Sequence, residues 1–143
     1  RPYFEVHPGI SSVQLAAAIS GAPLMNDFCS VSLSDKLTPW SLIEKRIKGA
    51  LVGDFVIALF NPQSIERNWQ LKSVIDICLQ SRHGDTPVLL ARQVGRENQT
   101  KKFFTLNTIP FKEIDMLSII IIGNSQTTLV DEIFLTPRGY LQN

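Results

Sequence analysis

The sequence predicts a layered α/β domain: a mixed, mostly parallel sheet in three layers, with helices on both sides. Three observations predict it. Short and almost wholly apolar runs, "DFVIALF", "TPVLLA" and "SIIII", read as strands buried on both faces. Longer stretches with apolar residues at helical spacing lie between them. Hydrophobic residues make up 44% of the 143 and charged residues 19%, enough apolar material for the packed core of one domain.

The elements follow in chain order. Phe4–Val6, within the opening "RPYFEV", alternates like extended chain. After the Pro8-Gly9 turn, Ser11 to Ser20 reads as a helix closed by Gly21. Ala16, Ala17 and Ala18 give it little side-chain bulk, which suits close packing. Phe28–Ser34 alternates as a strand. Thr38 as N-cap and Pro39 as first helical residue open a helix in which Leu42, Ile43, Ile47 and Leu51 recur. Asp54–Phe60 is a buried strand that ends at Asn61-Pro62. Ser64 to Arg82 reads as one long helix, with Ile65, Trp69, Leu71, Val74, Ile75 and Cys78 broadly periodic. Thr86–Val94, Lys101–Leu106 and Ser118–Gly123 are further strands, and Glu132–Tyr140 is an edge strand with a tail.

Composition excludes several functions. Net charge is +1, and the basic cluster Glu44–Lys48 carries its own acid, so no nucleic-acid partner is expected. No apolar run approaches the ~20 residues that span a bilayer, so no membrane partner is expected. Cys29 and Cys78 stand far apart and fit neither a metal-ligand spacing nor a disulfide framework. They read as two buried, reduced thiols of a cytoplasmic protein. His7 reads as a turn residue and His83-Gly84 as a helix end, and no metal site is predicted. No nucleophile elbow or phosphate-binding glycine loop is present, and Glu113 and Asp115 read as solvated. Catalytic residues stay unassigned.

Ligand binding is better supported. In layered sheets of this class, ligands gather beyond the carboxyl ends of the strands. At those ends stand Asn61-Pro62, Arg92 to Arg96 and Asn124 to Thr127. Each stretch alone reads first as a turn or a solvated loop. Together, all expected at one edge, they point to a site. A group transfer that depends on aligning two ligands needs no internal acid, base or metal.

Read in order, "VHPGISSVQLAAAISGAPL", "SLSDKLTPWSLIEKRI", "DFVIALFNPQS", "TPVLLARQVGRE", "MLSIIIIGNSQT" and "TPRGY" resemble the tetrapyrrole methylases. These enzymes use S-adenosylmethionine in corrin and sirohaem synthesis. The later stretches look closer to the cobalamin-pathway branch that methylates precorrin-3B, or its cobalt counterpart, at C17 with ring contraction.

The resemblance implies two α/β domains with the methyl donor between them. Residues 1–10 would be the connecting segment and residues 11–143 the C-terminal domain. The N-terminal domain, with its Gly-rich strand end and "GDP" loop, would lie outside this chain, leaving the chain inactive alone. The resemblance also implies a homodimer and a tetrapyrrole (precorrin) substrate. It places Ser11 and Ser12 against the donor. Phe60 stands where relatives usually carry a methionine under the adenine. Gly95 matches a donor-site glycine to within one position, and Asn61 and Leu89 are neighbouring cofactor candidates. Arg92, Asn124 and Ser125 are substrate candidates, and Arg92, Arg96 and Arg138 are candidate partners for substrate carboxylates. Two alternatives stay open: a tetrapyrrole methylase acting at another carbon, and a non-catalytic α/β binding or dimerisation module.

Overall fold

Apolar residues sit on both faces of the central strands, so the sheet needs cover on each side. The computed structural model describes residues 1–139, and its three helices supply that cover. In chain order come α1 (Ser12–Ser20), β1 (Gly21–Ala22), β2 (Phe28–Ser32), α2 (Trp40–Val52) and β3 (Val56–Phe60). There follow α3 (Gln70–Leu79), β4 (Pro87–Arg92), β5 (Thr100–Thr105), β6 (Ser118–Ile122), β7 (Thr128–Val130) and β8 (Ile133–Leu135). Two short 3-10 turns, Leu106–Thr108 and Phe111–Glu113, link β5 to β6. The segment before α1 has no regular structure, and Tyr3, Phe4, Val6 and Ile10 are exposed. The expected tail ends at Tyr140, which lies outside the described residues.

The main sheet runs β2-β3-β6-β4-β5. Its side chains alternate with the period of two that a strand imposes. Ile57, Leu59, Val88, Leu90, Ile120 and Ile122 join Ile43, Ile47, Leu71 and Ile75 of α2 and α3. Val56, Ala58, Leu89, Ala91, Ile119 and Ile121 join Val13, Ala16 and Ala17 of α1. The three expected layers are therefore present. Ala18, unlike its two neighbours, faces solvent.

The expectation of a mostly parallel sheet needs correction. β2, β3 and β4 do run the same way, but only β2 and β3 pair in parallel. β6 lies between β3 and β4 and is antiparallel to both, and β5 is antiparallel to β4. The short link from Arg92 to Thr100 has no crossover helix, which favours an antiparallel hairpin over a parallel pair.

Three further expectations shift. The second helix starts at Trp40 with Pro39 as N-cap, one residue later than expected, and no side chain caps it. The long helix from Ser64 shrinks to Gln70–Leu79. Ser64 and Arg67 instead close a turn by reciprocal backbone hydrogen bonds of 3.0 and 3.3 Å, which takes this stretch out of helical pairing. The last strand is not an edge. β8 lies in the middle of a small second sheet, β1-β8-β7, because its fully buried Phe134 joins the core under α1.

Gly21 makes that second sheet possible. It caps the carboxyl end of α1 at φ 138°, donates its N–H to Ala17 O and pairs with Phe134. An added Cβ would stand 2.5 Å from Phe134 O. Gly49, by contrast, lies in α2 with open space around it. Gly21→Ala is expected to destabilise the fold by more than about 1 kcal/mol. Gly49→Ala should stabilise it by about 0.5–1 kcal/mol through helix propensity. Urea melts of both variants check the contrast; equal effects would contradict this account of Gly21.

Candidate functional site

The carboxyl ends of β2, β3 and β4 share one edge of the sheet. The start of β6 meets them there, with Ser118 opposite Arg92. On the α1 side of this edge, Ser11 caps the helix. Its hydroxyl accepts the Gln14 N–H at 3.3 Å, and Gln14 Oε1 accepts the Ser11 N–H at 3.0 Å. This capping box explains why a serine and a glutamine stand three residues apart. Ser12 opens the helix and is half-buried, at the positive end of the helix dipole.

The turn after β4 packs on the same helix. Gln93 has φ 53° and donates its N–H to Leu117 O at 3.1 Å. Gly95 has φ 77°, and a Cβ there would stand 3.1 Å from Leu15 Cδ1. Phe60, ending β3, and Val94 both pack against the cluster that α1 covers. The end of β3, the turn after β4 and the helix that Ser11 and Ser12 open thus lie on one face of the sheet.

Asn61 stands at the rim. It has φ 49°, donates Nδ2 to Ser32 Oγ at 3.0 Å and accepts from Arg67 Nη1 at 2.7 Å. Beyond it, towards α3, opens a cleft of about 860 Å³. Arg67, Trp69, Gln70, Asp115 and Met116 line it along with Asn61. Gln70 is buried and donates Nε2 to Asp35 at 2.9 Å, while its Oε1 meets no partner among the described residues.

Arg92 forms a forked pair with Asp115 at this edge, with Nε to Oδ2 at 3.1 Å and Nη2 to Oδ2 at 2.7 Å. These hydrogen bonds hold the Asp115 carboxyl below its ordinary value of 3.8. Partial burial opposes them, and the Leu117 N–H and Ser118 hydroxyl add to them. Asp115, read from sequence as solvated, is therefore a structural anchor of the edge.

Residues 2–110 match the family model described as Tetrapyrrole (Corrin/Porphyrin) Methylases. The chain belongs to this family. A probable cobalt-factor III C(17)-methyltransferase of Salmonella typhimurium is 44% identical over 133 residues, covering 93% of this chain and 55% of its own length. A precorrin-3B C(17)-methyltransferase of Sinorhizobium is 36% identical over 140 residues, covering 94% of this chain and 55% of its own length. The crystal structure of the methyltransferase CobJ matches with a TM-score of 0.86 at 36% identity, over 91% of this chain and 54% of that one. The chain spans about half the length of these relatives.

Other expected site residues fall elsewhere in the chain. Asn124 and Ser125 follow β6, and because β6 runs antiparallel they lie at the opposite edge, beside the start of β3. Asn124 Nδ2 donates to Asp54 O at 3.1 Å, and the Ser125 N–H donates to Asp54 Oδ1 at 3.0 Å. They are not brought together with Phe60 and Gly95. Leu89 is mid-strand and fully buried under α1, so its side chain serves the core. Arg96 and Arg138 are exposed, with no ion pair among the described residues.

The cysteines and histidines fill structural places. Cys78 is buried, and burial pushes its thiol up to about 11. Cys29 is only partly buried, a correction to the expectation; burial raises its thiol too. His83 Nδ1 accepts the Asp85 N–H at 3.1 Å, as a turn residue does. Among the described residues, no three His, Cys, Asp or Glu side chains are grouped to hold a metal ion, and no helix is long and apolar enough to cross a membrane.

Sequence reasoning missed Arg67, Gln70 and Asp115. Arg67 and Gln70 were absorbed into an over-long helix. The signal against that helix was Pro62 followed by five polar residues in the six from Gln63 to Asn68. Asp115 was missed because the direction of β6 was not legible.

Because Asp115 ionises at a lower pH folded than unfolded, its stabilising share is complete above its unfolded value. That share fades as pH falls through the lowered folded value. The pair is half-exposed, so the share is modest. Asp115→Asn should be less stable than the parent at neutral pH, with a gap that narrows as the solution is acidified through the carboxylate range. Urea melts of both proteins across that range check it, and a gap independent of pH would contradict it.

Proposed function

We propose that this chain is the C-terminal, donor-binding part of an S-adenosylmethionine-dependent C-methyltransferase of cobalamin synthesis. The reaction in this reading is methylation of precorrin-3B, or its cobalt counterpart, at C17 with ring contraction. Residues 1–10 are the connecting segment and residues 11–143 the C-terminal domain. The full-length enzyme is read as a cytoplasmic homodimer with an N-terminal domain forming the other wall of the site. The names of the Salmonella and Sinorhizobium relatives support the choice of branch.

The observation that carries the reading is the packing of α1, which Ser11 and Ser12 open, on the sheet face that also holds Phe60 and Val94, with Gly95 beside Leu15 of the same helix. These residues fit the donor. Ser12 and Val13, at the first turn of α1, have backbone N–H groups without helical partners, suited to a carboxylate. Gly95 lets a ligand approach its backbone closely. The Phe60 ring offers an aromatic face or edge to the adenine.

When bound, the donor supplies a methyl group already activated on a sulfonium sulfur. The chain's own work is to hold and orient. Alignment of two reactants is worth up to about 7–11 kcal/mol of barrier, which explains how a site without an evident acid or base in this half can still accelerate a transfer. Asn61 and Asp115 line the larger cleft, where an acceptor with carboxylate arms would approach, and Arg92 pairs with Asp115. Of the substrate candidates Arg92, Asn124 and Ser125, Arg92 is the one at this edge.

Calorimetric titration of the full-length protein with S-adenosylhomocysteine tests the reading. Wild type should bind. Ser12→Phe should bind at least about tenfold more weakly, a loss of about 1.4 kcal/mol. Ser125→Ala, at the far edge, should bind as wild type does. Unchanged affinity in Ser12→Phe, or a loss confined to Ser125→Ala, would sink the proposed donor wall.

A further inference from the structure

We propose that Arg67 is a positioning residue for donor binding, whose guanidinium ties the carboxyl ends of β2 and β3 together and fixes the turn that carries Phe60 and Asn61. The inference rests on the reading of that edge as the donor wall.

Arg67 is 7% exposed, and no carboxylate pairs with it among the described residues. A cation is costly to bury unless its N–H groups are used. Nη1 donates to Asn61 O at 2.7 Å and to Leu33 O at 3.0 Å. Nη2 stands 3.5 Å from Met116 Sδ, a weak acceptor. One side chain thus reaches the end of β2, the end of β3 and the approach to β6.

The two carbonyls are well chosen for this task. The Leu33 N–H donates to Phe60 O at 3.0 Å, which extends the β2–β3 pairing past the end of β2. Asn61 comes next, in the left-handed region at φ 49° and directly before Pro62. A non-glycine residue persists there only when its surroundings over-determine it. The bond from Asn61 Nδ2 to Ser32 Oγ is one restraint, and Arg67 is the other.

Arg67 is itself held. Its N–H donates to Ser64 O and to Ser64 Oγ at 3.3 and 3.1 Å, and its carbonyl accepts the Ser64 N–H. Upstream, Gln63 Nε2 donates to Phe111 O and Ile114 O at 2.7 and 3.2 Å. The stretch from Asn61 to Arg67 is therefore a strap fastened at both ends. Arginine suits this place better than lysine, because its planar fork is pre-organised and its charge never titrates.

The test uses the full-length protein with S-adenosylhomocysteine as probe, titrated calorimetrically beside thermal melting. Arg67→Ala should weaken binding at least about tenfold, and Arg67→Lys should recover part of that loss. Ile75→Val, a core change away from the edge, should lower the melting temperature yet keep the affinity. If Arg67→Ala does not fold, Arg67→Lys decides, with an expected loss of about threefold or more. Unchanged affinity in the Arg67 variants, with wild type binding, overturns the positioning role and leaves the donor wall standing. An equal loss of affinity in Ile75→Val also overturns it, since the effect would then be general loosening. Failure of wild type to bind overturns the donor wall and this inference together.

Discussion

The direction of β6 governs the whole arrangement. Its five residues are all buried, so it has to sit at the centre of the sheet with cover on both faces. Lying between β3 and β4 and antiparallel to each, it separates two parallel-running strands and fixes which loops meet. The start of β6, with Asp115 to Ser118, joins the carboxyl ends of β3 and β4. Its end, with Gly123 to Ser125, is carried to the far edge. There Arg82 Nη1 donates to Gly123 O at 2.7 Å and Nη2 to Phe55 O. The two edges thus use the same device, a buried arginine donating to strand-end carbonyls, but only one of them faces α1 and its small-walled turn.

That device has a physical logic. Strand ends leave backbone carbonyls without ladder partners, and buried carbonyls need donors. A guanidinium carries five N–H groups, so a single arginine can satisfy carbonyls from two strands. The edge residues are then held without bulky side chains in the space a ligand would take. Ser11 spends its hydroxyl on the helix cap, Gly95 has no side chain, and Phe60 is half in the core. Order at this edge comes from behind it.

Much of the fold was legible because burial writes a clear pattern. The continuous runs of β3, β4 and β6 and the alanine-rich α1 are placed correctly from apolar periodicity. The closure at Gly21 follows from local backbone needs, while Ser11, read as the first helical residue, proves to be the cap. What was not legible depends on pairing partners far away in sequence. Nothing in "SIIII" records its direction, so Asn124 and Ser125 were assigned to the wrong edge. The helix start at Gln70 was hidden because Ile65 and Trp69 continue a helical period, while Ile65 is in fact exposed at the cleft. β7 and the central place of β8 escaped because three-residue strands carry almost no periodic signal. Of the candidate site, the start of α1, the end of β3 and the turn after β4 were named from sequence, whereas Arg67, Gln70 and Asp115 appear only once the chain is folded.

The central claim is that the donor binds at the edge where α1, the end of β3 and the turn after β4 meet. Hydrogen–deuterium exchange of the full-length protein, with and without S-adenosylhomocysteine, tests it most directly. The account predicts slowed exchange in segments 11–15, 60–63 and 93–96, with no change in segment 123–127. Slowed exchange confined to segment 123–127 would place the donor at the opposite edge and contradict the account.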